Sequence, residues 1–326
     1  MGIEAKKDQA LERPHFENER ALVTGGGGFI GSAVVLALLR EGATVTVLDD
    51  WSSGDRRRLP ADGPLTILTG SILNPAQVAD AMADCTVVVH EAASSIDIAL
   101  RDPVLDCDVN VRGTLNVLNA ARKSRSVRRV VYASTDAVYG NPRYLPINED
   151  DLLNPLSPFA VSKLAGENYC KAYYETFGLS TTVLRYANVY GAPVRDSRLP
   201  AGAADRFLKS ALEGRPLQVH GDGEQTRDFV FIDDAVDATL QASFLSKAEG
   251  QIYNVGTGIE TTINTLVEKV LSAAGSSSPI ETMDRLDIDN IRRRVLNIEK
   301  IRREIRWTPR ITLEQGLRLL IEGRAG

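Results

Sequence analysis

The residues with the clearest chemical meaning lie near the N-terminus. In "ALVTGGGGFIGSAVV", Gly25, Gly26, Gly27, Gly28 and Gly31 crowd one turn. Spaced as Gly25-x-x-Gly28-x-x-Gly31, or as Gly26-x-Gly28-x-x-Gly31, they allow a tight turn in which a pyrophosphate meets bare backbone N–H groups at a helix N-terminus. A carboxylate follows in "VTVLDDWSSG", as Asp49 or Asp50, at the spacing of about 20 residues expected for gripping the hydroxyls of an adenosine ribose. It would repel a 2′-phosphate, so the pattern favours NAD over NADP. Arg56, Arg57 and Arg58, just beyond it, keep NADP as the lesser alternative. Cys85, Cys107 and Cys170 lack metal-ligand spacing and fall in apolar helix or strand patterns, which reads as buried free thiols. His15, His90 and His220 are equally scattered, so no zinc site is expected.

These residues need a scaffold, and 326 residues can bury a large core. After a polar N-terminal segment, 1–19, short β-rich apolar runs alternate with helix-period segments. The strand candidates are "RALVTG", "TVTVLDD", "LTILTG", "TVVVHEA", "RRVVYAST" and "STTVLRYANV". Between them lie "GSAVVLALLREG", "NPAQVADAMAD", "VNVRGTLNVLNAARKS" and "SPFAVSKLAGENYCKAYYETFG". The expected fold is α/β, a doubly wound parallel (Rossmann) sheet over 20–190. Beyond about residue 190 the alternation gives way to Gly-, Pro- and charge-rich loops, which predicts a smaller C-terminal lobe over 191–326, with segments near 227–256 returning to the main sheet. In "INTLVEKVLSAAG", Ile263, Leu266, Val267, Val270 and Leu271 form one apolar stripe, read as a core-facing helix.

A net charge of −5 with scattered basic residues argues against a nucleic-acid surface. No apolar run reaches bilayer-spanning length and the polar N-terminus lacks a signal-peptide core. The expectation is a cytoplasmic protein without a membrane partner.

With "TGGGGFIG", "HEAA", "NVRGTLNVL", "YASTDAVYG", "SPFAVSK", "LRYANVYG", "GDGEQTRDFVFIDD" and "RRVLNIEKIRREIRWTPRITLEQGL" in this order, the chain resembles the extended short-chain dehydrogenase/reductase family. Within that family it is similar to the NAD-dependent nucleotide-sugar epimerases and dehydratases. The resemblance implies cofactor contacts from Gly25, Gly28, Phe29, Ile30 and Gly31 in the turn, from Asp49, and from Ser71 and Ile72. Ala92 and Ala93 would line the cofactor wall, Asn110 would support the site, and Lys163 would hold the nicotinamide ribose. It places Thr135 against the sugar hydroxyl being oxidised. Asn188 and Arg227 would hold the nucleotide diphosphate, with Arg292 or Arg293 as a second cation, and the C-terminal lobe would bind substrate. It further implies a homodimer through the helices of "VNVRGTLNVLNAARKS" and "SPFAVSKLAGENYCKAYY".

Three positions depart from the family pattern. Ser71 stands where an adenine-contacting Asp is usual. Ala137 replaces the Glu that serves 4,6-dehydratases as the C5 base, leaving Asp136 as a polar group of the catalytic set. Phe159, four residues before Lys163 on the same helix face, replaces the catalytic Tyr. Two readings of Phe159 stay open: an inactivating replacement, or a native residue whose base role has passed to Asp136, Tyr139 or a water. The leading expectation is an NAD-dependent nucleotide-sugar 4-epimerase working through transient C4 oxidation. The alternatives are a dehydratase or uronic-acid decarboxylase beginning with the same oxidation, and a non-catalytic nucleotide-sugar or NAD-binding protein.

Overall fold

The computed structural model describes residues 16–191, 202–284 and 291–323. The polar N-terminal segment up to residue 15, including His15, and residues 192–201 of the expected C-terminal lobe lie outside the described residues. Each predicted strand run forms: β1 (Arg20–Thr24), β2 (Thr44–Asp49), β3 (Leu65–Thr69), β4 (Val87–His90), β5 (Arg129–Thr135) and β6 (Thr181–Tyr186). A seventh strand, Ile252–Val255, joins them in the order β3-β2-β1-β4-β5-β6 and then Ile252–Val255, with every pair parallel. The chain winds outward from β1 to β3 and then returns to β4 on the other side of β1. This reversal opens a crevice at the carboxyl ends of the strands, where such sheets bind ligands.

Helices cover both faces: α1 (Phe29–Arg40), α2 (Pro75–Ala81), α3 (Ile96–Arg101), α4 (Pro103–Cys107), α5 (Thr114–Lys123) and α6 (Pro158–Phe177). Their ends are written in the sequence. Asn74 caps α2 by accepting from the Ala76 and Gln77 amides, Ser157 caps α6 through Ala160, and Gly178 ends α6 at φ +67°. Alternation along the strands sends Val23, Val45, Val47 and Val89 to one face, with α1 and the helix Ile232–Phe244. Leu22, Leu48, Val88 and Val130 go to the other, with α2, α5 and α6. The helix Ile263–Ala274 buries Ile263, Leu266, Val267 and Val270, the stripe read from its spacing.

Three differences from the sequence reading matter. The run "STTVLRYANV" is not one strand: β6 stays in the sheet, while Asn188–Tyr190 turns away to pair with Phe229–Phe231. The stretch "SSIDIALRDPVLDC" folds into α3 and α4, and a π-helical turn, Asp108–Gly113, separates α4 from α5. Cys107 is exposed rather than buried. It follows Asp106, whose side chain occupies the inward face of α4, and one helical step turns the thiol toward solvent. Cys85 and Cys170 are buried as expected.

The C-terminal segment is pinned by Trp307, fully buried, whose indole N–H donates to the Asp234 carbonyl at 3.1 Å. The Asp234 carboxylate then accepts from the Arg310 and Ile311 amides. Trp307→Ala is therefore expected to lower unfolding free energy by about 3–5 kcal/mol in urea titrations, through the lost volume and an orphaned carbonyl.

Candidate cofactor and catalytic site

The glycine turn leaves no room for side chains. Gly25 sits at φ +70°, and a Cβ there would stand 2.6 Å from the Ala92 amide nitrogen. A Cβ on Gly31 would lie 2.1 Å from the Gly25 carbonyl oxygen. Gly28 is the N-cap of α1 with no side-chain cap, so the amides of Phe29, Ile30 and Gly31 open the helix toward the crevice. A bare helix N-terminus reached through glycine is the donor set a pyrophosphate requires.

The structure separates the two candidate carboxylates. Asp49 is buried and accepts from the Gly27 and Trp51 amides, both at 2.8 Å, one on each oxygen. Each oxygen keeps a lone pair for a ribose hydroxyl. Asp50 is exposed and only caps its own turn through Ser52. In the arginine run, Arg58 donates to the Gly27 carbonyl at 2.8 Å and Arg57 pairs with Asp55. Ser71 accepts from the Leu73 amide, and Ile72 packs so closely on Gly113 that a Cβ there would meet its Cδ1 at 2.5 Å.

Beneath Ala92 and Ala93, His90 is a structural histidine. Thr114 spends its only hydroxyl proton on the Asn110 carbonyl at 2.6 Å, so the His90 Nε2–H must donate to Thr114 at 3.0 Å. Nδ1 then accepts from the Thr24 hydroxyl at 2.7 Å. Burial, reinforced by the Lys163 charge, pushes the imidazole down to about 3, and it stays neutral. Asn110 ties the site together: its side chain accepts from the Ser94 amide and donates to Asp106 at 2.8 Å and to Ser162 at 2.9 Å. Ser162 in turn donates to the Phe159 carbonyl, which anchors the first turn of α6.

Thr135 ends β5 half-buried, its hydroxyl accepting from the Ala137 amide at 3.2 Å. Phe159 is half-buried one turn before Lys163, whose Nζ lies 4.5 Å from the Tyr132 ring centre. Lys163 is only 4% exposed, and burial pulls its ammonium below the usual lysine range. Neither protein group considered in place of the missing phenol is free. Asp136 is buried in an ion pair with Arg294 at 2.9 Å. Tyr139 donates to Asn254 and accepts from Arg185, and burial raises its phenol far above the ordinary range.

On the substrate side, Asn188 has an enclosed Nδ2 with no hydrogen-bond partner among the described residues. Arg227 is half-buried and donates to the Ile291 carbonyl at 2.9 Å. Arg292 and Arg293 form exposed pairs with Asp222 and Glu260, while the enclosed cation of that run is Arg294, which the sequence reading passed over. It also missed Glu91, half-buried after β4 and 3.3 Å from the Tyr186 hydroxyl. The "HEAA" spelling was the available signal for it.

Residues 21–256 match the model of the NAD dependent epimerase/dehydratase family. The chain belongs to that family. Its members take NAD as cofactor, and the turn just described fits one. The chain is 37% identical over 310 residues, 93% of it and 97% of the relative, to a UDP-glucose 4-epimerase of Mycolicibacterium smegmatis. It is 33% identical over 317 residues, 93% and 97%, to a UDP-N-acetyl-alpha-D-glucosaminuronate decarboxylase of Bacillus cytotoxicus. Its fold is similar to that of the Thermus thermophilus UDP-glucose 4-epimerase in complex with NAD, with TM-score 0.85 and 35% identity over 94% of this chain and 99% of that one.

The neutral His90 of this family member carries a pH signature. Unfolded, the imidazole takes a proton near its ordinary 6.5; folded, it resists protonation until about 3. Its contribution to stability is complete above the unfolded value and is lost as pH falls toward the folded one. The expected slope is about 1.4 kcal/mol per pH unit from this group. Urea midpoints between those pH values should show a shallower decline in His90→Gln protein; identical slopes would contradict the assignment.

Proposed function

We propose that the protein is an NAD-dependent nucleotide-sugar 4-epimerase. What supports this reading is the glycine turn at the sheet's reversal, with Thr135 at the end of β5 and the buried Lys163 on α6, next to a turn that holds Ala137 where dehydration needs a base. In this reading the α1 amides hold the pyrophosphate, Asp49 the adenosine ribose and Lys163 the nicotinamide ribose. NAD supplies the hydride acceptor for C4 of the sugar. Thr135 hydrogen-bonds the 4-hydroxyl and orients it. Residues 191–326 serve as the substrate lobe, whose Arg227 meets the diphosphate together with the Asn188 side-chain amide just before it; a ligand oxygen there would remove the cost of an enclosed donor that has no partner among the described residues. The exposed Val161 and Tyr169 of α6 support a homodimer built on α5 and α6.

Phe159 fills the space of the family phenol without its oxygen, so the binding apparatus stands while proton transfer at O4 is impaired. The likeness to a decarboxylase supports the second reading, in which the same C4 oxidation leads to loss of carbon dioxide.

With NAD and a panel of nucleoside-diphosphate hexoses and uronic acids, Phe159→Tyr should raise kcat by about 10²–10⁴-fold over the Phe protein. A product of unchanged mass and inverted C4, seen by mass spectrometry and NMR, supports epimerisation; a lighter product selects the decarboxylase or dehydratase reading. If neither form converts any sugar, the enzyme reading fails. Asn188→Ala should leave thermal stability nearly unchanged while weakening nucleotide-sugar binding by about tenfold in calorimetry, the worth of one charge-assisted hydrogen bond.

A further inference from the structure

Glu91 has no role in the scheme above, yet it sits at the carboxyl end of β4, directly before Ala92 and within the field of Lys163. Proton accounting around it is informative. The Thr239 hydroxyl, from the helix Ile232–Phe244, donates to the Ala235 carbonyl at 2.8 Å, so it has no proton left for Tyr186. The 2.6 Å contact between Tyr186 and Thr239 must therefore use the single phenolic proton of Tyr186. The contact from Tyr186 to Glu91, at 3.3 Å, is long for a hydroxyl facing an ionised carboxylate, where O–H···O⁻ distances shrink to about 2.5–2.7 Å. With its proton committed to Thr239, the phenol offers an ionised Glu91 no donor to stabilise the charge. Burial also pushes the Glu91 carboxyl up, against the opposing pull of the Lys163 charge from α6. Tyr186 itself stays protonated, because burial lifts it well above its ordinary value. His90, on the same strand, points to Thr114 and is neutral.

We propose that Glu91 is an acid–base group of this site, carrying a proton in the cofactor-free protein and releasing it when the positively charged nicotinamide of NAD binds. The proposal rests on the reading that Ala92 and Lys163 face the cofactor. On binding, the carboxyl O–H bond breaks, the proton passes to solvent, and the carboxylate formed balances the new positive charge within the low-dielectric site. NADH, whose nicotinamide ring is neutral, gives no such push. The loaded site thereby gains a carboxylate beside Lys163, a proton acceptor of a kind that Phe159 cannot provide.

The test is infrared difference spectroscopy on the full chain at about pH 6, where an elevated glutamic acid is still protonated. Calorimetry run in parallel establishes binding. Adding NAD should remove a carboxylic-acid C=O band that NADH leaves in place. Glu91→Gln, which keeps a donor toward Tyr186 and so should fold, ought to bind NAD and show no such band. Binding of NAD with the band unchanged, or the same loss in the Gln variant, overturns the proposal. Absence of NAD binding to the unaltered protein overturns the cofactor-site reading and the proposal with it.

Discussion

The site depends on a buried ion pair that fastens α6 to the sheet. Arg185 on β6 grips Glu167 through Nε and NH2 at 2.7–3.1 Å, and both side chains are 2% exposed. Glu167 lies one helical turn beyond Lys163 and also accepts from Ser134, the residue before Thr135. One carboxylate thus sets the helix bearing Lys163 against the strand bearing Thr135. Arg185 spends its remaining nitrogen on the Tyr139 hydroxyl and the Glu149 carbonyl, and Tyr139 bonds Asn254 on the seventh strand. Such a pair adds little net stability relative to an apolar replacement, but losing one partner strands a charge and costs about 3–5 kcal/mol. Its value here is positional: the crevice has one geometry because α6 cannot slide.

A second constraint works from the other side of the crevice. Gly31 must pack on the Gly25 carbonyl, and Gly25 must lie under Ala92, so α1, β1 and the end of β4 are held at distances no side chain permits. The Thr24–His90–Thr114 chain of hydrogen bonds ties β1 to β4 at depth and adds α5 to them. Between these two fixtures the C-terminal strand ends face one another across the sheet's reversal.

Much of this was legible in the sequence because it is local. The glycine spacing, the acid at the end of β2 and the apolar alternation each act within a few residues, and the structure places them where their spacing implies. What stayed hidden were pairings between distant residues. Asp136 and Arg294 are 158 positions apart, and nothing local to "RRR" says that Arg294 turns inward while Arg292 and Arg293 find surface partners. Cys107 misled for a related reason: periodicity identified a helix, but Asp106 takes the inward face through its bond to Asn110. Glu91 was concealed within a motif whose spelling matched the family.

On the proposed reading, Phe159 separates two tasks that the family resemblance assigns to one helix face. Burying an ammonium is costly, and Lys163 bears that cost with the Tyr132 ring centre 4.5 Å from its Nζ. In a site with a phenol, part of that positive charge would serve to lower the phenol's pKa. Phe159 removes that use and leaves the lysine, Asn110, Ser162 and the α6 cap undisturbed, since Ser162 bonds the backbone carbonyl of residue 159 and not its side chain. On the proposed reading, the arrangement keeps the groups that bind and orient the cofactor, and the proton exchange that Phe159 cannot perform falls to the carboxyl of Glu91, which burial pushes up.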